Sequence, residues 1–229
     1  MSYCPRLAIS QAITQAITLT IMLAVCSFSL IASNTNAKAD PPDQAAMLLL
    51  EEVAQHSANI VTLHAIFQQE KKLNILAQAL TSQGYICVTR TPAGQGERLQ
   101  WVYTNPVPSG FTYENGEGAL WNASLADTQP TTSQEARGIA AIAKHILAWI
   151  RADAKELLQA YHLERPEKSL PILLLYPRQH TFFTKLEAVF TPSLNSLSQL
   201  TFFEDNGDTI RILFTETKIN QALPEICSQ

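Results

Sequence analysis

Short runs of alternating apolar and polar residues, each closed by turn formers, recur along most of this 229-residue chain and restrict it to an antiparallel meander. Leu63, Ala65 and Phe67 alternate with Thr62, His64 and Ile66, and further strands are expected at 82–90, 98–104, 110–113 and 119–122. The separators are Pro92-Ala93-Gly94-Gln95-Gly96, Asn105-Pro106-Val107-Pro108 and Glu114-Asn115-Gly116, all turn chemistry. Strand signals resume at 161–164, 170–176, 182–191, 198–204 and 209–216, the last two joined by Asp205-Asn206-Gly207-Asp208. About ten strands are many for a flat sheet, so the sheet is expected to curl toward a barrel.

Helical patterns interrupt the meander at two places. Residues 43–56 have helical composition, with Met47, Leu48, Val53 and Ala54 available for one side. Thr132 and Glu135 fit a capping box, after which Ile139, Ile142, Ala143, Ile146, Trp149 and Ile150 follow helical spacing. Asp153 with Glu156 is placed to cap a further helix carrying Leu157 and Leu158. Such amphipathic helices must lie on something apolar. The segment 67–121 supplies aromatic residues with almost no reactive side chains among them, the composition of a surface that holds apolar material.

The N-terminus sets the compartment. One positive charge, Arg6, precedes an uncharged stretch from Leu7 to Ala32, the layout of a secretory signal. Asn36-Ala37-Lys38-Ala39-Asp40 places small residues where a signal peptidase reads, so residues 1–39 are expected to be a signal peptide cleaved after Ala39, with 40–229 a single exported domain. A rival reading makes Cys26 a lipid-modified cysteine, since Leu23-Ala24-Val25-Cys26 approaches a lipobox, although Val25 is bulky for it. Without its leader the chain keeps 14 basic and 20 acidic residues, net −6, which argues against a nucleic-acid partner. Cys87 and Cys227 then remain, either as a disulfide of an oxidising compartment or as a buried thiol and a free one.

Reactive constellations are missing from the sequence. His56, His64, His145, His162 and His180 show no metal-ligand spacing, and no metal or cofactor is expected. There is no Gly-x-Ser-x-Gly elbow, and Gly94-Gln95-Gly96 lacks the third glycine of a dinucleotide site. A hairpin turn accounts for Asp205, Asn206 and Asp208 without calcium. Lys71-Lys72 reads as solvated charge near a strand end.

Phe67-Gln68-Gln69 with Lys71, Leu73, Ser82 and Gly84, then Leu99-x-Trp101 leading to Pro106, then Asn115-Gly116 to Leu120-Trp121, resembles the bacterial outer-membrane lipoprotein carrier family, the LolA-like proteins. Leu173-x-Leu175-x-Pro177 and Glu204-x-Asn206-Gly207-Asp208 continue the likeness. The resemblance implies an α+β fold: an unclosed antiparallel β-barrel whose inserted helices form a lid over acyl chains. It implies Ile139, Ile142, Ile146 and Trp149 on the lid side, and Trp101, Phe111, Phe202, Ile212 and Phe214 on the concave sheet face. It also implies an inner-membrane exporter and an outer-membrane acceptor as partners of a monomeric carrier. The family often carries a lid-holding arginine just before the Leu-x-Trp strand, and Arg90 and Arg98 both match that place. Cargo is expected to be lipoprotein acyl chains or another lipid. A periplasmic lipid-acting hydrolase and a noncatalytic adaptor of an envelope complex are the competing classes.

Overall fold

The computed structural model describes residues 43–90, 96–122 and 132–228. The expected leader, with Cys26 and Ala39, and residues 92–95 of the first long loop lie outside them. Helix α1 (Gln44–Ser57) is capped by Asp43, whose Oδ1 accepts from the Ala45 amide, and leads into five strands: β1 (Thr62–Lys72), β2 (Leu80–Arg90), β3 (Glu97–Asn105), β4 (Ser109–Glu114) and β5 (Glu117–Asn122). Helices α2 (Ser133–Arg151) and α3 (Ala154–Ala160) follow. Five more strands complete the fold: β6 (Tyr161–Glu164), β7 (Ile172–Pro177), β8 (Lys185–Phe190), β9 (Leu197–Phe203) and β10 (Thr209–Ile219).

These ten strands form one antiparallel sheet in the order β5-β4-β3-β2-β1-β10-β9-β8-β7-β6. Every pair of neighbours is adjacent in sequence except β1 and β10, which zip together from Leu63↔Ile219 to Lys72↔Thr209. Among the described strands β5 and β6 are the two edges and do not pair with each other, so the barrel is unclosed. The chain passes from one edge to the other through α2 and α3.

Local sequence explains the turns. Asn115 and Gly116 both have positive φ, 51° and 97°, as the two-residue type I′ hairpin between Glu114 and its partner Glu117 requires. At the last hairpin the Gly207 amide donates back to the Glu204 carbonyl, with Gly207 at φ 82°. The predicted capping box at the start of α2 is present, with the Glu135 amide donating to Thr132 Oγ1 and the Thr132 amide to Glu135 Oε2.

Alternation divides the sheet into two faces. Leu63, Ala65, Phe67, Ile86, Val88 and Leu99 are almost fully buried on the inner one. Phe67 packs against Trp101 at 4.7 Å and edge-on to Tyr103 at 5.2 Å. Gly84 makes room for this cluster: a Cβ there would lie 2.6 Å from Phe67 Cζ. Further along β1 the inner face turns polar. Gln69 accepts from the Tyr103 hydroxyl at 2.8 Å, and Lys71 lies 3.6 Å from Glu204. Lys71 is therefore buried and paired, unlike the solvated charge its sequence context predicts; Lys72, on the other face, is exposed.

On the outer face Cys87 is joined to Cys227 of the C-terminal 3₁₀ turn (Glu225–Ser228), and Arg98 Nη1 donates to the Cys227 carbonyl at 3.0 Å. His64 is the cross-strand partner of Cys87, so the His64, Cys87 and Cys227 ligand atoms lie within 4.8 Å of one another although no spacing in sequence links them. The two sulfurs are bonded to each other, which leaves the trio without a thiolate for a metal. The bond closes a loop with a sequence separation of 140 residues. The double substitution Cys87→Ala/Cys227→Ala is expected to lower unfolding free energy by about 2–5 kcal/mol; denaturant unfolding checks this, and an unchanged midpoint would show the bond to be energetically idle.

Candidate functional site: an apolar cleft beneath the helix

Helix α2 presents Ile139, Ala140, Ala143, Ile146, Leu147, Ala148 and Trp149 as buried residues. Its first turns seat on β5 at Gly118, where a Cβ would fall 2.7 Å from the Ile139 side chain and 2.8 Å from the Ala136 carbonyl. Toward its C-terminal end the helix spans a cleft over the inner face. Ile146, Trp149 and Ile150 line it from above; Leu63, Ala65, Ile86, Trp101, Leu200 and Phe214 are among the sheet residues below. Among the described lining residues, Ser196 and Thr217 are the ones with hydroxyl side chains.

The remaining free space is about 20 Å³, room for a single water-sized sphere. Helix and sheet thus fill most of each other's apolar surface. Of the nine residues expected to touch cargo, Trp101, Ile146, Trp149 and Phe214 line this cleft. Phe111, Ile139, Phe202 and Ile212 are buried in the surrounding core, and Ile142 is half-buried against it. Rings connect the two groups: Trp101 stacks toward Phe111 at 6.4 Å and meets Phe214 edge-on at 6.2 Å, while Trp149 reaches Phe202 at 5.9 Å.

The helix is held at its C-terminal end by charge. Arg151 Nη1 donates to Glu97 Oε1 at 2.6 Å, and Arg90 Nε lies 3.2 Å from the same oxygen. Glu97 on β3 therefore sits between Arg151 on the helix and Arg90 on β2 and ties the helix end to the sheet. The family resemblance implies a lid-holding arginine at Arg90 or Arg98 on the sheet; among the described residues, the contact from sheet to helix runs from Glu97 on β3 to Arg151 on α2. Arg90 joins that cluster, whereas Arg98 reaches the C-terminal turn. A backbone device reinforces the clamp: Ser57 Oγ, at the end of α1, donates to the Arg151 carbonyl at 2.9 Å. No pattern in the sequence announces Glu97. Only the β2–β3 register, which pairs Arg90 with Glu97, brings the group together.

Electrostatics elsewhere around the cleft follow from burial. The Tyr103 and Tyr161 phenols are pushed up by desolvation. His145, on α2 with its ring 6.2 Å from Tyr161 and 6.4 Å from Trp149, is held below the ordinary histidine value by desolvation, partly offset by the Glu156 carboxylate.

An open, curled antiparallel sheet with helices packed over its apolar face defines the class of fold. The sequence model of the family described as "Outer membrane lipoprotein carrier protein LolA" matches residues 58–226, and the chain belongs to that family. No curated protein sequence matches it. Among solved structures, a chain in the Pseudomonas aeruginosa MucA/MucB complex is similar at 15% identity and TM-score 0.48, over 82% of this chain and 61% of that one. This chain thus spans about three-fifths of that protein. A LolA superfamily protein from Nitrosomonas europaea is similar at 13% identity and TM-score 0.37, over 79% and 96% of the two chains. The Mycobacterium tuberculosis lipoprotein LppX is similar at 8% identity and TM-score 0.42, over 80% and 98%. Family membership rests on the family match alone.

Charge-assisted hydrogen bonds between partly exposed groups contribute about 1–2 kcal/mol. Glu97→Gln is accordingly expected to speed amide hydrogen exchange in α2 by roughly tenfold while leaving β1 and β10 unchanged. Unaltered exchange in α2 would rule out the clamp.

Proposed function

We propose that this protein is a periplasmic carrier that shields the acyl chains of lipoproteins or related lipids between α2 and the concave sheet face, and carries them toward the outer membrane. The observation that carries this reading is the closed apolar cleft, lined from both sides by large side chains and nearly full when empty. Each methylene brought into water costs roughly 0.8 kcal/mol, so a chain of about sixteen carbons forfeits on the order of 12 kcal/mol on leaving a membrane unescorted. A carrier must offset most of that and still let go.

The closed form supports such an exchange. Burial of Ile139, Ile146, Leu147 and Trp149 contributes roughly 1.5–3 kcal/mol each, or about 6–12 kcal/mol for the four. Those helix contacts are of the same order as the chain contacts that would replace them. In this reading Trp101, Phe214, Ile146 and Trp149 meet the cargo first. Phe111, Ile139, Ile142, Phe202 and Ile212 line the space as the helix lifts, and Glu97 with Arg90 and Arg151 sets how readily it does so. Arg98 secures the C-terminal turn. Loading from an inner-membrane exporter and delivery to an outer-membrane acceptor complete the reading, with residues 1–39 removed after Ala39 as the export signal.

The test is recovery of the protein from the periplasm, starting at Asp40, followed by extraction of bound lipid and titration with a fluorescent palmitoyl probe. Probe uptake is expected, and Ile142→Glu should weaken it by about tenfold or more while shifting the thermal midpoint little. Equal loss of binding and stability would mark Ile142 as plain core, and failure of the unaltered protein to take up the probe would overturn the carrier reading.

A further inference from the structure

A second space adjoins the cleft at Ser196 and Thr217. A hollow of about 540 Å³ is framed by the β8–β9 loop, residues 191–196, and the last residues of β10. Ser196, Phe214 and Thr217 line both the hollow and the cleft, so the two adjoin at these residues. The hollow is a broad depression open to solvent, with mostly polar walls.

A break in β10 creates this arrangement. His64 faces Lys218 but Ile66 faces Thr215, so β10 carries one extra residue here, and Glu216 takes a left-handed conformation with φ 50°. Strict alternation from Ile212 and Phe214 would put residue 216 over the cleft; the bulge puts Thr217 there instead. The facing loop holds a second left-handed non-glycine residue, Leu194 at φ 55°. Two strained positions thus flank one hollow.

Acceptors predominate along the walls. Thr191 Oγ1 and Ser193 Oγ donate to Asn195 Oδ1 at 3.0 and 2.9 Å, and Ser196 Oγ donates to it at 3.4 Å; the Thr191 and Ser193 oxygens lie 3.2 Å from each other. With their protons drawn to one amide oxygen, these hydroxyls turn lone pairs outward. Glu216 adds carboxylate oxygens that only accept, and the amides of Asn195 and Gln221 supply donors. No lysine or arginine is among the described lining residues. Acceptors with one negative charge and no cation fit a ligand rich in hydroxyl donors and reject a phosphate, which is itself an anionic acceptor.

We propose that this hollow receives an uncharged polyhydroxyl headgroup, that of a glycosylated acyl lipid, while the acyl chain occupies the adjoining cleft. The inference rests on the carrier reading and narrows its cargo.

Isothermal titration calorimetry of the mature protein with submicellar dodecyl maltoside, dodecyl phosphate, dodecanol and free maltose separates the contributions. Dodecyl maltoside is expected to bind about tenfold more tightly than dodecyl phosphate or dodecanol, with maltose alone far weaker than dodecyl maltoside. Glu216→Lys, at an exposed position, should erase the preference over dodecyl phosphate and retain chain binding; Asn195→Leu should lower dodecyl maltoside binding toward that of dodecanol. Equal binding of all three alkyl probes would overturn the headgroup site while leaving the carrier reading intact. Tight binding of free maltose, or a preference that survives Glu216→Lys, would also overturn the headgroup site. Failure of every alkyl probe to bind would overturn both.

Discussion

The pairing of the first strand with the last organises everything else in this molecule. Each half of the sheet, β5 to β1 and β10 to β6, is a meander that local turns can build alone. Only the β1–β10 ladder, running from Leu63↔Ile219 to Lys72↔Thr209, makes them one curved surface with a common inner face. That face needs a cover, because Phe67, Trp101, Leu200 and Phe202 would otherwise meet water. The chain supplies one by sending α2 and α3 from edge strand β5 to edge strand β6. The lid is therefore a consequence of connectivity: leaving the barrel unclosed and crossing between its edges with a helix are the same topological choice.

The cleft inherits its properties from this arrangement. Its floor belongs to the rigid ladder, and its roof is one amphipathic helix seated at Gly118 and clamped at Arg151 by Glu97. A sheet held by many backbone bonds and a helix held by side chains differ in how easily they yield. Movement of the roof at the expense of a few side-chain contacts is the cheap direction of change. The small residual space is what a carrier at rest requires, since an apolar cavity standing open would carry the full cost of its exposed surface.

Much of this was legible in the sequence because it depends on local chemistry. Strand signals between turn formers marked ten strands, with clear alternation on several of them; Asn115-Gly116 and Gly207 marked hairpins, and Thr132 with Glu135 marked the start of the covering helix. What escaped depends on register. The bulge at Glu216 exchanges Thr217 for residue 216 at the cleft mouth, and no composition rule signals it. Glu97, Arg90 and Arg151 meet only once β2, β3 and α2 are placed. Lys71 reads as surface charge until Glu204 of the last hairpin arrives beside it. Sorting cleft from core was not legible either, because Phe111 and Trp101 follow the same alternation and differ only in which side chains lie above them.

Lifting of α2 from the sheet as cargo enters is the central claim, and a distance reports it directly. Spin labels at Lys144, exposed on α2, and Thr215, exposed on the outer side of β10, span the cleft without entering it. Pulsed electron paramagnetic resonance on the empty protein and on protein saturated with a palmitoyl lysolipid compares the two states. The distance is expected to lengthen on loading, and to lengthen at lower lipid concentration when Glu97 is replaced by glutamine. A distribution that stays the same while lipid is bound would contradict the role of α2 as a lid.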